Sequence, residues 1–161
     1  MSRILKIALT AFASLFCLLY ALQNLANLEA AHGFVVHVIG MQGHEAYPAG
    51  IGPAIAAGWM TWLALAIIIA LELTAGLLLA WGSWSLWRAR KASPDAFNAA
   101  KQWALLGLGL GVLLWFGLFS ALGGAYFQMW QTQLGNAALE GAFWYSAQLA
   151  LLWLMLRAED R

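Results

Sequence analysis

Glu72 is an ionisable side chain inside an otherwise apolar run, "IIIALELTAG". A carboxyl at that depth of a membrane segment costs a few kcal/mol to insert and normally faces other helices rather than lipid. Two roles follow: a hydrogen-bonded group that sets helix register, or a carrier of a proton or cation. Counting depth from one membrane face places Thr10 and Ser14 of the first apolar segment, and Ser146 and Gln148 of the last, at its height. These are its expected hydrogen-bond partners, and register-setting is the expected role.

The stretch "EAAHGFVVHVIGMQGHEAYP" holds all three histidines. On a helix His37 and Met41 share a face at i, i+4, while Gly40 and Gly43 interrupt the periodicity before His44. Imidazole with thioether or carboxylate suits copper, zinc or haem iron, which makes His37, Met41 and His44 the metal candidates. The spacing provides no His-x3-His pair, and Cys17 lies far away in the first apolar run. Interfacial hydrogen bonding is therefore the reading preferred, and no cofactor is expected. No Ser/His/Asp order, phosphate loop or paired carboxylates is present, and Glu29 and Glu45 merely flank the histidine loop. An enzyme is not the expected class.

A second polar and aromatic cluster is "GGAYFQMWQTQLGN". If its helix continues, Phe127, Trp130 and Leu134 recur at i, i+3, i+7 and need an apolar surface, while Gln128, Gln131 and Thr132 point elsewhere. Phe34, Val38 and Met41 recur at similar spacing. The expectation is an extracytoplasmic cap in which Phe34, His37 and Met41 meet Phe127, Trp130 and Gln131, with His37 bonded at or near Gln131. Gly135 and Asn136 are expected to end the helix.

The elements that position these groups are read from composition. Of 161 residues, 63% are hydrophobic and 9% charged, against roughly 25% charged in soluble domains. This is an integral membrane protein. A net charge of +1 offers no basic face for nucleic acid, and the partners expected are the lipid bilayer and a membrane-protein complex.

A bilayer core about 30 Å thick is crossed by about 20 apolar residues in a helix. Four segments qualify, at about 4–25, 55–84, 102–134 (apolar as far as Leu122) and 138–156. Backbone groups in lipid must be satisfied internally, so these are helices. The fold expected is all-α, one four-helix antiparallel transmembrane bundle over 1–161 with the short cap. The first apolar run exceeds a signal-peptide core and is expected to stay as a transmembrane helix.

All eight basic residues fall in the two termini or the middle loop "RARKASPDAFNAAK". Lys and Arg gather on the cytoplasmic side, so both termini and that loop are expected inside a bacterial cytoplasmic (inner) membrane. In that loop Ser93 and Pro94 read as a helix cap and first helical residue. Small residues favour helix packing in lipid, which singles out Gly107 with Gly111 and Gly76 with Ala80. Packing within the bundle is the expected use, with a seam for another protein as the alternative.

Four separated segments, "FVVHVIGM", "LELTAGLLLAWGSWSLWRA", "FNAAK" and "GGAYFQMWQTQLGN", make the chain resemble the bacterial small integral membrane proteins of domain-of-unknown-function family 2165. The positions carried by the resemblance are His37, Met41, Glu72, Asn98, Lys101, Gly123, Gly124, Phe127, Met129, Trp130, Gln131 and Asn136. Where the family pattern tends to place acidic residues, this chain has Gln42 and Ala125. The resemblance implies a four-helix membrane protein and no particular activity. The function expected is an accessory or interaction subunit of a larger membrane complex. The alternative is a small transporter, or a metal- or haem-linked redox protein using Glu72 or the His37/Met41 loop.

Overall fold

A computed structural model describes residues 2–160. The described residues form helices and connecting turns, with no strand among them. Helix α1 spans Arg3–Ala26 and α2 Leu28–Ile39, separated by a break at Asn27. Helix α3 spans Gly58–Ala89, α4 is the short Pro94–Ala99, and α5 spans Gln102–Val112. From Leu113 to Tyr126 the chain of α5 continues as a π-helix; a 3-10 turn follows at Met129–Gln131, and α6 spans Gln133–Arg157. Among the described residues four helical stretches are long and apolar enough to cross a membrane: Arg3–Ala26, Gly58–Ala89, Pro94–Tyr126 and Gln133–Arg157.

Helix α3 is the centre of the bundle, with α1 on one side and α5 on another; α6 closes against α5 and the π-helix. The seams rest on small residues, because helices in lipid gain their association energy from close van der Waals approach. A methyl group on Gly82 would lie 2.5 Å from the backbone nitrogen of Ala104, so α3 and α5 touch almost backbone to backbone there. Gly107 also faces α3, against Leu79 and Ala75, whereas Gly111 faces α6 and receives Leu149. The Gly-x-x-x-Gly pair thus serves two neighbours. Gly76 receives Leu18 of α1, but Ala80 is exposed, so that second pair is not a shared seam. One turn of helix rotates past the partner, and spacing alone does not reveal where the partner lies.

Helix ends follow local chemistry. Ser93 caps α4 by accepting from the Ala96 amide, with Pro94 in the first turn, as the turn residues lead one to expect. The third helix differs from expectation at its far end: it stops at Tyr126 instead of running to 134. Phe127 still donates its amide to Leu122, the i→i+5 bond of a π-helix. Gln128 then takes a left-handed conformation at φ 53°, which ends the helix without a glycine. Gly135 and Asn136 are consequently not a stop signal but the first turn of α6, where the Thr132 hydroxyl caps the Gly135 amide at 3.0 Å.

Candidate functional site

Three polar constellations lie on this scaffold: one inside the bundle, one at each end. Inside, Glu72 is 1% exposed. Asn24, near the far end of α1, donates its side-chain amide to both carboxylate oxygens at 2.9 and 3.1 Å. The helices explain the pairing, since α1 and α3 are antiparallel neighbours and helical side chains lean toward their own N-termini. The partners expected by depth are elsewhere. Thr10 donates to the Lys6 carbonyl, Ser14 to Gly76 and Ser146 to Phe143. Gln148 is exposed, because the buried face of α6 is set by Ala142, Ser146, Leu149, Leu152 and Leu156. Depth was the wrong criterion on its own; rotation about the helix axis decides contact.

Beside this pair, Phe16 and Tyr20 of α1, Trp115 of the π-helix and Tyr145 of α6 form a four-ring cluster with centroids 4.8 to 5.9 Å apart. Tilted and edge-on aromatic contacts of this kind add about 0.5–1.5 kcal/mol per pair beyond burial. They tie three helices together.

At the cap end, the corner 127–132 meets α2 and the loop that follows it. Gln131 makes a two-way amide pairing with Tyr47, accepting from its backbone amide at 2.7 Å and donating to its carbonyl at 3.1 Å; it also donates to Gln128. His37 meets Thr132 at 3.3 Å, the neighbour of Gln131. The Thr132 hydroxyl also lies 3.3 Å from the Met129 carbonyl and accepts from the Gly135 amide. His32 is placed alike: its Nε2 is hydrogen-bonded with the Thr61 hydroxyl at 2.7 Å, that hydroxyl also lies 2.7 Å from the Gly58 carbonyl, and the imidazole stacks on Trp62 at 3.8 Å.

Met129 is the buried anchor of the corner, at 1% exposure. Its sulfur fills the space over Gly123 and its backbone lies on Gly135, a fit that a side chain at either glycine would break. Trp130, expected to be the buried ring, is 39% exposed and meets Tyr47 edge-on at 5.3 Å. Leu134 and Asn136 are exposed as well. The left-handed turn at Gln128 rephases the segment, so the i, i+3, i+7 stripe never forms. Phe34, Val38, Phe127 and Met129 do line one apolar groove of about 220 Å³, together with residues of α3 and the π-helix.

Met41 leaves the helix at φ 50° and no longer shares a helical face with His37. Burial, and then the charge of His37, hold the His44 imidazole below its ordinary pKa. Among the described residues, no three of His, Cys, Asp and Glu gather within reach of one metal ion.

The opposite end joins three distant segments. Lys6 of α1 and Lys101, just before α5, both donate to the same oxygen of Asp160, at 2.5 and 2.6 Å. Both also donate to the Ala158 carbonyl. Asn98 brackets the backbone of Asp160, donating to its carbonyl at 3.1 Å and accepting from its amide at 3.0 Å, and accepts from Lys101. Phe97 is fully buried beside them, with the Arg3 guanidinium 4.6 Å over its ring. Burial pushes the Asp160 carboxyl up, but hydrogen bonds from Lys101 and Lys6, and their charges, outweigh it and hold the group below the usual carboxylate range. Sequence reading singled out Asn98 and Lys101 only by resemblance and missed Lys6, Asp160 and Asn24. The signal for the first two was a lysine in an apolar first turn and an acid following the last helix.

No curated protein and no solved structure matches the chain. A family model described as a predicted small integral membrane protein, DUF2165, matches residues 2–158. That match takes in all four apolar helices, the Glu72 pair, the cap end and Lys6, Asn98 and Lys101 of the opposite end, stopping short of Asp160, and the chain belongs to the DUF2165 family.

Proposed function

We propose that the protein is an accessory or interaction subunit of a larger complex in the bacterial cytoplasmic membrane, with both termini and the 90–93 turn on the cytoplasmic side. The observation that carries the reading is the apolar groove between α2, α3 and the π-helix, lined in part by Phe34, Val38, Ile67, Phe119 and Phe127. Polar groups deeper in the bundle are engaged internally: every buried side-chain nitrogen and oxygen of the described residues has a hydrogen-bond partner. A transport path calls on several intramembrane polar sites facing a cavity, and here Glu72 is bonded at both oxygens by Asn24. The groove instead offers shape and apolar surface, which suit side chains of a neighbouring transmembrane helix.

A photo-crosslinking residue at position 67, where Ile67 lines the groove and is 45% exposed, tests this in native membranes. One stoichiometric protein adduct is expected, and Ala64→Phe, which fills the groove, should remove it. Adducts with lipid only, or a metal or haem carried through purification, would overturn the interaction role in favour of the transport or redox alternative.

A further inference from the structure

We propose that Lys6, Asn98 and Lys101 form a binding site for a phosphate monoester, which the chain's own segment 158–160 occupies through the Asp160 carboxylate. The two lysines are each 3% exposed, yet their ammonium groups converge on one oxygen. Two cations face one carboxylate, so the site holds an excess positive charge. Arg3, on the ring of Phe97 that also lies 5.6 Å from the Lys101 ammonium, adds a third cation nearby. A dianion with three terminal oxygens satisfies this arrangement better than one carboxylate does. It can accept from both ammonium groups and from the Asn98 amide at once, and charge-assisted bonds of this kind are the strong ones.

The resident segment is held in a way that permits exchange. Its contacts are the polar ones to Lys6, Asn98 and Lys101, while the side chains of Ala158 and Glu159 are exposed and give it no apolar anchor. The cations, in contrast, are fixed from below: Lys6 sits in the first turns of α1, and Lys101 borders α5 against the fully buried Phe97. Both belong to the ends of membrane-crossing helices, the depth at which lipid headgroups lie. A phosphate monoester can reach that position either as the headgroup of phosphatidic acid or as a free ion.

The test uses the full chain and its Asp160→Asn variant, with inorganic phosphate added in detergent and with nanodiscs of phosphatidylcholine containing phosphatidic acid. Removing the competing charge should tighten binding of at least one probe tenfold or more, and adding Lys101→Gln to Asp160→Asn should abolish the gain. Binding of phosphatidic acid alone identifies a lipid source, and binding of both probes a site open to the free ion. Equal binding by the native chain and Asp160→Asn, or a gain that survives Lys101→Gln, would overturn the site and leave a structural ion cluster. Should Asp160→Asn lose its melting transition, the chain ended after Arg157 replaces it in the same comparison.

Discussion

Asn24 holds Glu72 by both carboxylate oxygens, across the seam between α1 and α3. This is a polar lock between two helices that also meet through Leu18 seated on Gly76 and through hydroxyl-to-carbonyl bonds from Ser14 to Gly76 and from Ser83 to Ile7. Glu72→Gln keeps an acceptor for Asn24 and should fold close to normally. Asn24→Leu leaves a buried carboxyl without its partner and should destabilise by a few kcal/mol. A double-mutant cycle of Asn24→Leu with Glu72→Leu, each of which removes the bond, should return a coupling of roughly 0.6–1.7 kcal/mol, from the average to the largest value for interhelical bonds in a membrane bundle. Additive effects in a detergent-unfolding assay would show that the two side chains do not interact.

Met129→Ala should cost more than Trp130→Ala, although tryptophan is the larger side chain. Methionine fills an enclosed space between two glycines, and its removal leaves a cavity worth about 2–5 kcal/mol. The exposed tryptophan loses mainly its edge contact with Tyr47, about 0.5–1.5 kcal/mol. Unfolding measurements on the two variants decide the order.

Acid should release the 158–160 segment only well below neutral pH. The Asp160 carboxyl is held below its ordinary pKa in the folded chain. Its contribution is therefore complete above the unfolded-state pKa, and is lost as pH falls through the lowered folded value. The thermal-stability difference between the native chain and Asp160→Asn should stay constant through neutral and mildly acidic pH and shrink toward zero in strong acid. A difference that vanishes near pH 6 would contradict the lowered pKa.

Gly82→Leu should separate α3 from α5. The first added carbon already meets the backbone of Ala104, and overpacking of this kind costs about 1–3 kcal/mol or more. Gly109→Leu, where nothing lies within 4 Å of the added carbon, serves as the control and should leave thermal stability nearly unchanged.

Labelling should report the orientation proposed from the basic residues. In a Cys17→Ser background, a cysteine at Glu45 should react with an impermeant maleimide from outside intact cells, and one at Ala92 only after lysis. The reverse pattern would invert the topology.

Hydropathy and charge by themselves determined that this chain is a helical membrane protein with four apolar crossings, because the bilayer imposes length and internal hydrogen bonding on any segment that enters it. Glu72 was also legible, since a carboxyl among leucines and isoleucines has no inexpensive alternative to facing the bundle. Its partner was not, because Asn24, Thr10, Ser14 and Gln148 differ in rotation and lean as well as in depth, and every face of these helices is apolar enough to conceal which one turns inward. The change from α- to π-helix after Val112 escaped for the same reason: in an almost uniformly apolar segment no polar stripe records the period. Tertiary contact alone ended the third helix at Tyr126, with Met129 seated between Gly123 and Gly135, and so exposed Trp130 where a continuous helix would have placed it on a buried stripe. It also brought Lys6, Lys101 and Asp160 to one point. Residues that far apart in the chain meet only after the helices have packed, and their separate identities carry no record of the meeting.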